Sequence, residues 1–297
     1  MWHHVCHVLS GIYFLKESAM FFSKRHYFIY FLILSLVTSA GFATEIYRSV
    51  DDQGRVTYSD KPSARSQPIT ILSQPSRQLY QVARVYDGDT IILEDKKHVR
   101  LLGINTPEIE SQQREEEPGG VAAKKWLQSQ LQDKKVYLEF DQVKRDKYKR
   151  LLAHVYLPDG RHLNLDLLEN GLAAVSIIPP NSLHTDKLIQ AQQHAEKLKL
   201  GIWSMPEYQP HPITQIANHT KGWQRFTGIP VTIKQSRKYT RLIFTDKIDI
   251  RIANTNLKLF PALTTYLEKP LEIRGWVSRN KDHYTMLIQH PNALIIR

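Results

Sequence analysis

One cysteine, Cys6, stands in 297 residues, which excludes an internal disulfide framework and any cysteine-rich zinc site. No apolar run reaches the roughly 20 residues that span a membrane. The nearest, YFIYFLILSLVTSAGF, has 16; it follows Lys24, Arg25 and His26 and closes on the small-x-small triplet Gly41-Phe42-Ala43. That layout predicts an export signal cleaved after Ala43, with an uncleaved inner-membrane anchor as the alternative. Met20 is an alternative start to Met1, and a mature chain from Thr44 has no cysteine at all. Thirteen histidines are present, and none beyond the leader is read as a metal ligand. Acid is scarce at the other end. From 208 onward 14 Lys/Arg face 5 Asp/Glu, a net of +9, whereas 80–207 carries 18 against 19, a net of −1. The whole-chain charge of +11 therefore lives in the last block. A polyanion such as nucleic acid, or an anionic surface, is the partner class that fits.

What is there falls into blocks. Residues 1–43 are an N-terminal extension and signal. Residues 44–62 form a small β module, two short strands around Asp51-Asp52-Gln53-Gly54, and 63–79 a Ser/Gln/Pro-rich linker. Residues 80–207 alternate β-rich and helical patterns. YQVARVY, TIILE and HVRLLGI precede a helix in which Ala123, Leu127 and Leu131 recur four apart, and KVYLEF and RLLAHVYL follow it. Asn164 to Asn170 predicts a short helix capped by Asn164, and Thr185 to Lys199 a longer one stopped by Gly201. Five strands with a helix between the third and fourth predict an OB-type Greek-key barrel, in an α+β fold that is mainly β with about three helices. Residues 221–297 are strand-rich and predict a second small, OB-like barrel. There Trp223, Phe226, Tyr239, Phe244 and Trp276 fit either core or stacking platforms in a basic groove.

Four motifs in the central block carry chemistry. In ARVYDGDTIIL, Asp87-Gly88 reads as a tight hairpin turn with φ > 0, which leaves Asp89 over where strands disfavour a carboxylate. VRLLGINTPE (99–108), DKYKR (146–150) and NGLA (170–173) follow. Together they supply what phosphodiester hydrolysis requires. Asp89, Asn105 and the Thr106 carbonyl offer oxygen ligands to a hard cation. Arg100 and Arg150 offer guanidinium forks to a pentacoordinate phosphate, and Glu108 offers a base for water. Lys147 and Tyr148 are candidate substrate contacts, while Glu115, Glu116 and Glu117 read as a solvated loop.

These motifs, with the end HAEKLKLGIWS, resemble the staphylococcal-nuclease-like (thermonuclease) family from about Tyr80 to Ser204. The resemblance implies one Ca²⁺ on Asp89, phosphate contacts from Arg100 and Arg150, and Glu108 as general base or water-orienting group. It also implies an outer-shell role for Asp87 and a DNA and/or RNA substrate; no obligate protein partner is inferred. Two departures stand out: Asn105 replaces the usual Asp of the box before Pro107, and AVSIIPPN lacks the tyrosines that some members set against the nucleotide. The alternative is a catalytically weakened nucleic-acid or anionic envelope-polymer binding protein that retains the fold. Tyr47, Asp51, Gly54, Tyr58, Ser59, Asp60 and Pro62 resemble a small module of unknown function in exported Gram-negative proteins, which implies a periplasmic or secreted location.

Overall fold

A computed structural model describes residues 46–50, 56–59, 61, 66–69, 78–110, 115–132 and 134–297. The leader, its cleavage site and the turn Asp51–Gly54 lie outside the described residues. The chain divides into two compact units, Met1–Gln74 and Pro75–Arg297. In the first, β1 (Ile46–Val50) pairs antiparallel with β2 (Val56–Ser59) and β3 (Ser66–Ile69), giving the order β2-β1-β3. β3 falls in the stretch read as linker. Its SQPI pattern has no β periodicity, and Pro68 is tolerated because the strand is an edge.

The second unit opens with β4 (Leu79–Val85), β5 (Thr90–Leu93), β6 (His98–Leu101) and β7 (Ile104–Asn105). The helix α1 (Gly120–Leu131) then leads to β8 (Lys135–Arg145) and β9 (Leu151–Tyr156). β4-β5-β6-β9-β8 close into a barrel with β6 and β9 parallel, which is the OB order. TIIL of β5 is buried throughout, and Ala123, Leu127 and Leu131 of α1 face the core as their spacing predicts. Next come α2 (Leu163–Glu169), β10 (Ala174–Val175), which pairs with β7, and α3 (Thr185–Lys197). Asn164 is not the cap of α2; His162 holds that position. Asn164 is fully buried, accepting from Val155 N–H at 2.9 Å and donating to the Leu102 carbonyl at 2.8 Å. An amide satisfied on both sides in this way ties helix to barrel.

The C-terminal part adds β11 (His211–Pro212), β12 (Trp223–Gly228), β13 (Thr232–Gln235), β14 (Tyr239–Thr245) and β15 (Ile248–Ala253). β16 (Leu271–Asn280), β17 (His283–Ile288) and β18 (Leu294–Ile296) complete it. The ladder runs β12-β16-β17-β15-β14-β13, so β12 and β13 lie at opposite ends of the path. Only residues 229–231 separate them in the chain, a reach of roughly 14 Å at most, so the sheet must curl on itself. With β12 and β13 taken as one strand broken at Pro230, the order repeats that of the first barrel. The parallel pair β15–β17 stands where β6–β9 stood. WQRFTG of β12 alternates poorly as a sequence: Arg225 is buried and counts as an inward residue only through its partner Glu272. Trp223, Phe226 and Phe244 are core, Tyr239 is half-buried under the Arg251 guanidinium, and Trp276 is exposed.

The two barrels share a seam. Trp203, Tyr208 and Trp223 pack with Ala195 and Ile202. Arg274 on β16 forks onto Glu196 of α3 at 2.6 and 2.9 Å, and the Nε atoms of Arg225 and Arg274 both donate to Glu272 Oε1 at 2.7 Å. Burial, and then Arg274 beside it, lower the Arg225 guanidinium to about 10.

Candidate functional site

β4 and β5 form the predicted hairpin, with Tyr86 N–H donating to the Thr90 carbonyl at 2.9 Å. Its glycine has a different reason from the predicted one. Gly88 is not among the residues with positive φ; a Cβ there would sit 2.6 Å from Thr106 Oγ1 and 2.7 Å from the Ala123 methyl. Glycine is required by close approach, and the approach brings the Asp87–Asp89 loop against Thr106. Asp89 is buried. Its Oδ2 accepts Thr106 N–H at 2.9 Å and pairs with Arg100 Nη2 at 2.9 Å, while Oδ1 accepts from Thr90 Oγ1 at 3.2 Å. Asp87 Oδ1 accepts the Asp89 N–H at 3.0 Å; burial, and then the Asp89 charge, push its carboxyl up to about 7.

Arg100 is the hub. Its Nη2 also donates to Asn105 Oδ1 at 3.1 Å, and its Nη1 donates to the carbonyls of Leu101 and Ile104 at 2.8 and 2.9 Å. Asn105 Nδ2 donates to the Thr106 carbonyl at 3.0 Å. The three oxygens read as cation ligands are thus adjacent, and in this structure they are engaged by a guanidinium and an amide. Among the described residues no group of three His, Cys, Asp or Glu is placed to hold a metal ion.

A cavity of about 400 Å³ opens beside this hub, with Arg100, Asn105, Lys147, Tyr148 and Arg150 on its wall. Asp87, Asp89, Thr106 and Glu108 are not on that wall; Asp89 and Thr106 reach it through Arg100 and Asn105. The loop of DKYKR is organised by Asp146, which sequence reasoning passed over. Its carboxylate accepts from the N–H groups of Tyr148 and Arg150, each at 2.9 Å, and from Arg150 Nε at 2.7 Å. Burial opposes its charge, but the Arg150 hydrogen bond outweighs that and holds its carboxyl below the usual carboxylate range. An acid four residues before an arginine in a turn-forming run was the available signal.

Glu108 is held by a second acid that the sequence reading left to solvent. Glu117 Oε2 accepts the Glu108 N–H at 3.1 Å, and Glu117 N–H donates to the Glu108 carbonyl at 2.9 Å. Gly120, the first residue of α1, presses on the same carbonyl, which a Cβ would meet at 2.4 Å. Glu115 pairs with Lys221 at 2.8 Å on the surface. His154, His162 and His184 also come together, with ring centroids 4.9–5.3 Å apart, although 30 residues separate the first from the last. No sequence spacing announces such a cluster.

A family model described as Staphylococcal nuclease homologue matches residues 98–205. The thermonuclease of Staphylococcus hyicus is 38% identical over 137 residues, 45% of this chain and 80% of that protein. The chain belongs to the staphylococcal nuclease family. The thermonuclease of Staphylococcus intermedius is 40% identical over 127 residues, 42% of this chain and 75% of its own length. Endonuclease YncB of Bacillus subtilis is 41% identical over 130 residues, covering 42% and 61%. The N-terminal module also has a counterpart: residues 33–79 match a domain of unknown function, DUF4124. No described helix is long and apolar enough to cross a membrane.

Proposed function

We propose that this chain is an exported, Ca²⁺-dependent nuclease that hydrolyses phosphodiester bonds of DNA and/or RNA with little sequence preference. The observation that carries the reading is the convergence of Asp89, Arg100, Asn105 and Thr106 into one bonded cluster at the rim of a cavity that also holds Arg150. Asp89, Asn105 Oδ1 and the Thr106 carbonyl would hold the ion; all are hard oxygen donors, the type calcium takes. Bound there, the ion supplies Lewis-acid stabilisation of a phosphoryl oxygen. Arg150, clamped at Nε by Asp146, keeps its two terminal amino groups for a phosphate in the cavity. Glu108, fixed through its own peptide by Glu117, is the base or water-orienting group. Asp87 steadies the Asp89 peptide, and Lys147 and Tyr148 lie along the strand's path. The basic leader and apolar run, with the DUF4124 match, support export.

The test is plasmid degradation with Ca²⁺, Mg²⁺, Mn²⁺ and EDTA, run beside Glu108→Gln and Arg150→Ala. Metal-dependent cleavage that both substitutions reduce by more than about a hundredfold is expected, the scale of one acid–base or one charge-stabilising group. Binding without cleavage under every metal would instead make it a weakened nucleic-acid or envelope-polymer binder.

A further inference from the structure

The cavity of the nuclease barrel has one wall that the nuclease barrel does not supply. Trp276, on β16 of the second barrel, lines it together with Arg100, Tyr148 and Arg150. A tryptophan left 46% exposed is costly surface unless it serves a purpose, because the indole offers more apolar area than any other side chain. Among the described residues no aromatic ring or cation packs on its face, whereas Arg150 and Lys147 both lie over the ring of Tyr148 nearby.

Its position is built. Glu272, Arg274 and Trp276 alternate along β16, so the period of a strand points all three toward the nuclease barrel. Glu272 is buried in the seam and Arg274 is forked onto Glu196, which fixes the strand two residues short of the tryptophan. Trp223, directly opposite Trp276 in the ladder, is buried against Trp203. Between the clamp and the indole stands Gly275 with φ +147, a conformation L side chains rarely adopt; a Cβ would find ordinary space there, so backbone shape demands the glycine. At this bend β16 passes from pairing β12 to pairing β17, and burial stops: Leu271 to Gly275 are buried and Trp276 is not.

A clamped, open indole beside guanidinium groups in a cleft of this size is a base-stacking platform next to phosphate contacts. We infer that Trp276 stacks on an unpaired nucleobase of the bound strand, lent by the second barrel to the cavity of the first. The inference rests on the nuclease reading and goes beyond it. It makes the C-terminal barrel part of the substrate site and makes single-stranded nucleic acid the form that fits, since a base inside a duplex has both faces covered by its stacked neighbours.

The test uses the full chain, Trp276→Ala and Trp276→Phe. The substrates are a single-stranded oligothymidylate and a tetrahydrofuran abasic oligomer of equal length. Alanine should raise KM on oligothymidylate roughly 5- to 100-fold, phenylalanine should keep most of the affinity, and KM on the abasic oligomer should not move. Equal effects on both substrates, or none on either, overturn the inference. A second readout separates it from the nuclease reading. In EDTA, oligothymidylate should quench tryptophan emission of the wild type, and that quench should be missing in Trp276→Phe. Cleavage without the Trp276-dependent quench refutes the stacking alone; quench without cleavage under any metal refutes the nuclease reading alone.

Discussion

The histidine cluster makes a quantitative statement about acid. His154 Nδ1 and His162 Nε2 are 3.1 Å apart, both rings are buried, and His184 Nε2 lies 2.8 Å from Glu139 Oε2. Burial, and then the neighbouring histidines, take His154 down to about 4 and His162 to about 3, from an ordinary 6.5. Glu139 and Asp141 pull the other way on His154, and Lys187 adds to the depression of His162. Folded, both rings hold protons less tightly than in the unfolded chain. Their contribution is therefore complete above pH 6.5 and is lost as pH falls toward 4. Each costs about 1.4 kcal/mol per pH unit inside that window. Asp87 works in the opposite sense. Its folded carboxyl, raised to about 7, takes up a proton before the unfolded one does, so it gains about 1.4 kcal/mol per unit over the same range.

His211 and His290, also held below the ordinary 6.5 by burial, add losses of the same sign, so wild type loses stability as pH falls from 6.5 to 5. His162→Gln removes one loss, so its slope should be shallower than that of wild type by about 1.4 kcal/mol per unit there, whatever the substitution costs at pH 7.5. The assay is urea unfolding at half-unit steps from pH 7.5 to 5 in EDTA, compared as slopes. Asp146 and Glu139, whose carboxyls are held low, lose their contribution only below about pH 4.5 and stay out of the window. Parallel curves for wild type and His162→Gln would refute the reasoning, because the variant differs by one titrating ring.

Glu272→Gln should destabilise the second unit by about 3–5 kcal/mol, seen as a lower urea midpoint, since Arg225 and Arg274 then stay buried without their shared carboxylate. Gly120→Ala should displace the Glu108 carbonyl; kcat on oligothymidylate should fall at least tenfold while stability drops by about 1–3 kcal/mol, read by initial rates and thermal melts. Asn105→Asp should tighten Ca²⁺ by roughly tenfold or more in calorimetry by adding a second carboxylate to the oxygen set, and an unchanged Kd removes residue 105 from the ligands.

Local pattern carried the elements that bury one clean stripe. The four-residue recurrence in α1 and the apolar run of β5 report burial directly, because each is decided by its own side chains. Position became illegible wherever a polar group is inside with a partner far along the chain. Asn164 looks like a cap and is a cross-link between β9 and the 102 loop; Arg225 looks exposed and is core through Glu272. At the site, types and order were legible and bonding was not. The motif spacing pointed to Asp89, Arg100, Asn105 and Arg150, but only tertiary packing sets Arg100 on Asp89 and Asn105 at once. Gly88 was noticed for the wrong property, since sequence registers a glycine without saying whether φ or space requires it.

The charge of the C-terminal block acquires a sharper meaning once burial is known. Of its five acids, Glu272 and Asp249 are buried and already paired, the latter with Arg241 at 3.4 Å and His283 at 3.0 Å. Only Asp246, Glu268 and Asp282 face solvent, and Asp282 is spent on Lys247 at 3.1 Å. Arg225 and Arg274 are the only buried cations, consumed in the seam. The excess of positive charge therefore sits on the barrel surface with almost no acid to cancel it, while the nuclease barrel next to it is close to neutral. Such a field attracts a polyanion over about a Debye length, roughly 8–10 Å, without choosing a sequence. Choice of register needs a contact that holds one base in place. β16 crosses from the charged barrel through the seam to the cavity, and at its crossing point it carries Trp276. Attraction thus comes from the charged surface of the second barrel and placement from Trp276 on its clamped strand, and the seam that buries Glu272 keeps the two in fixed relation to Arg150.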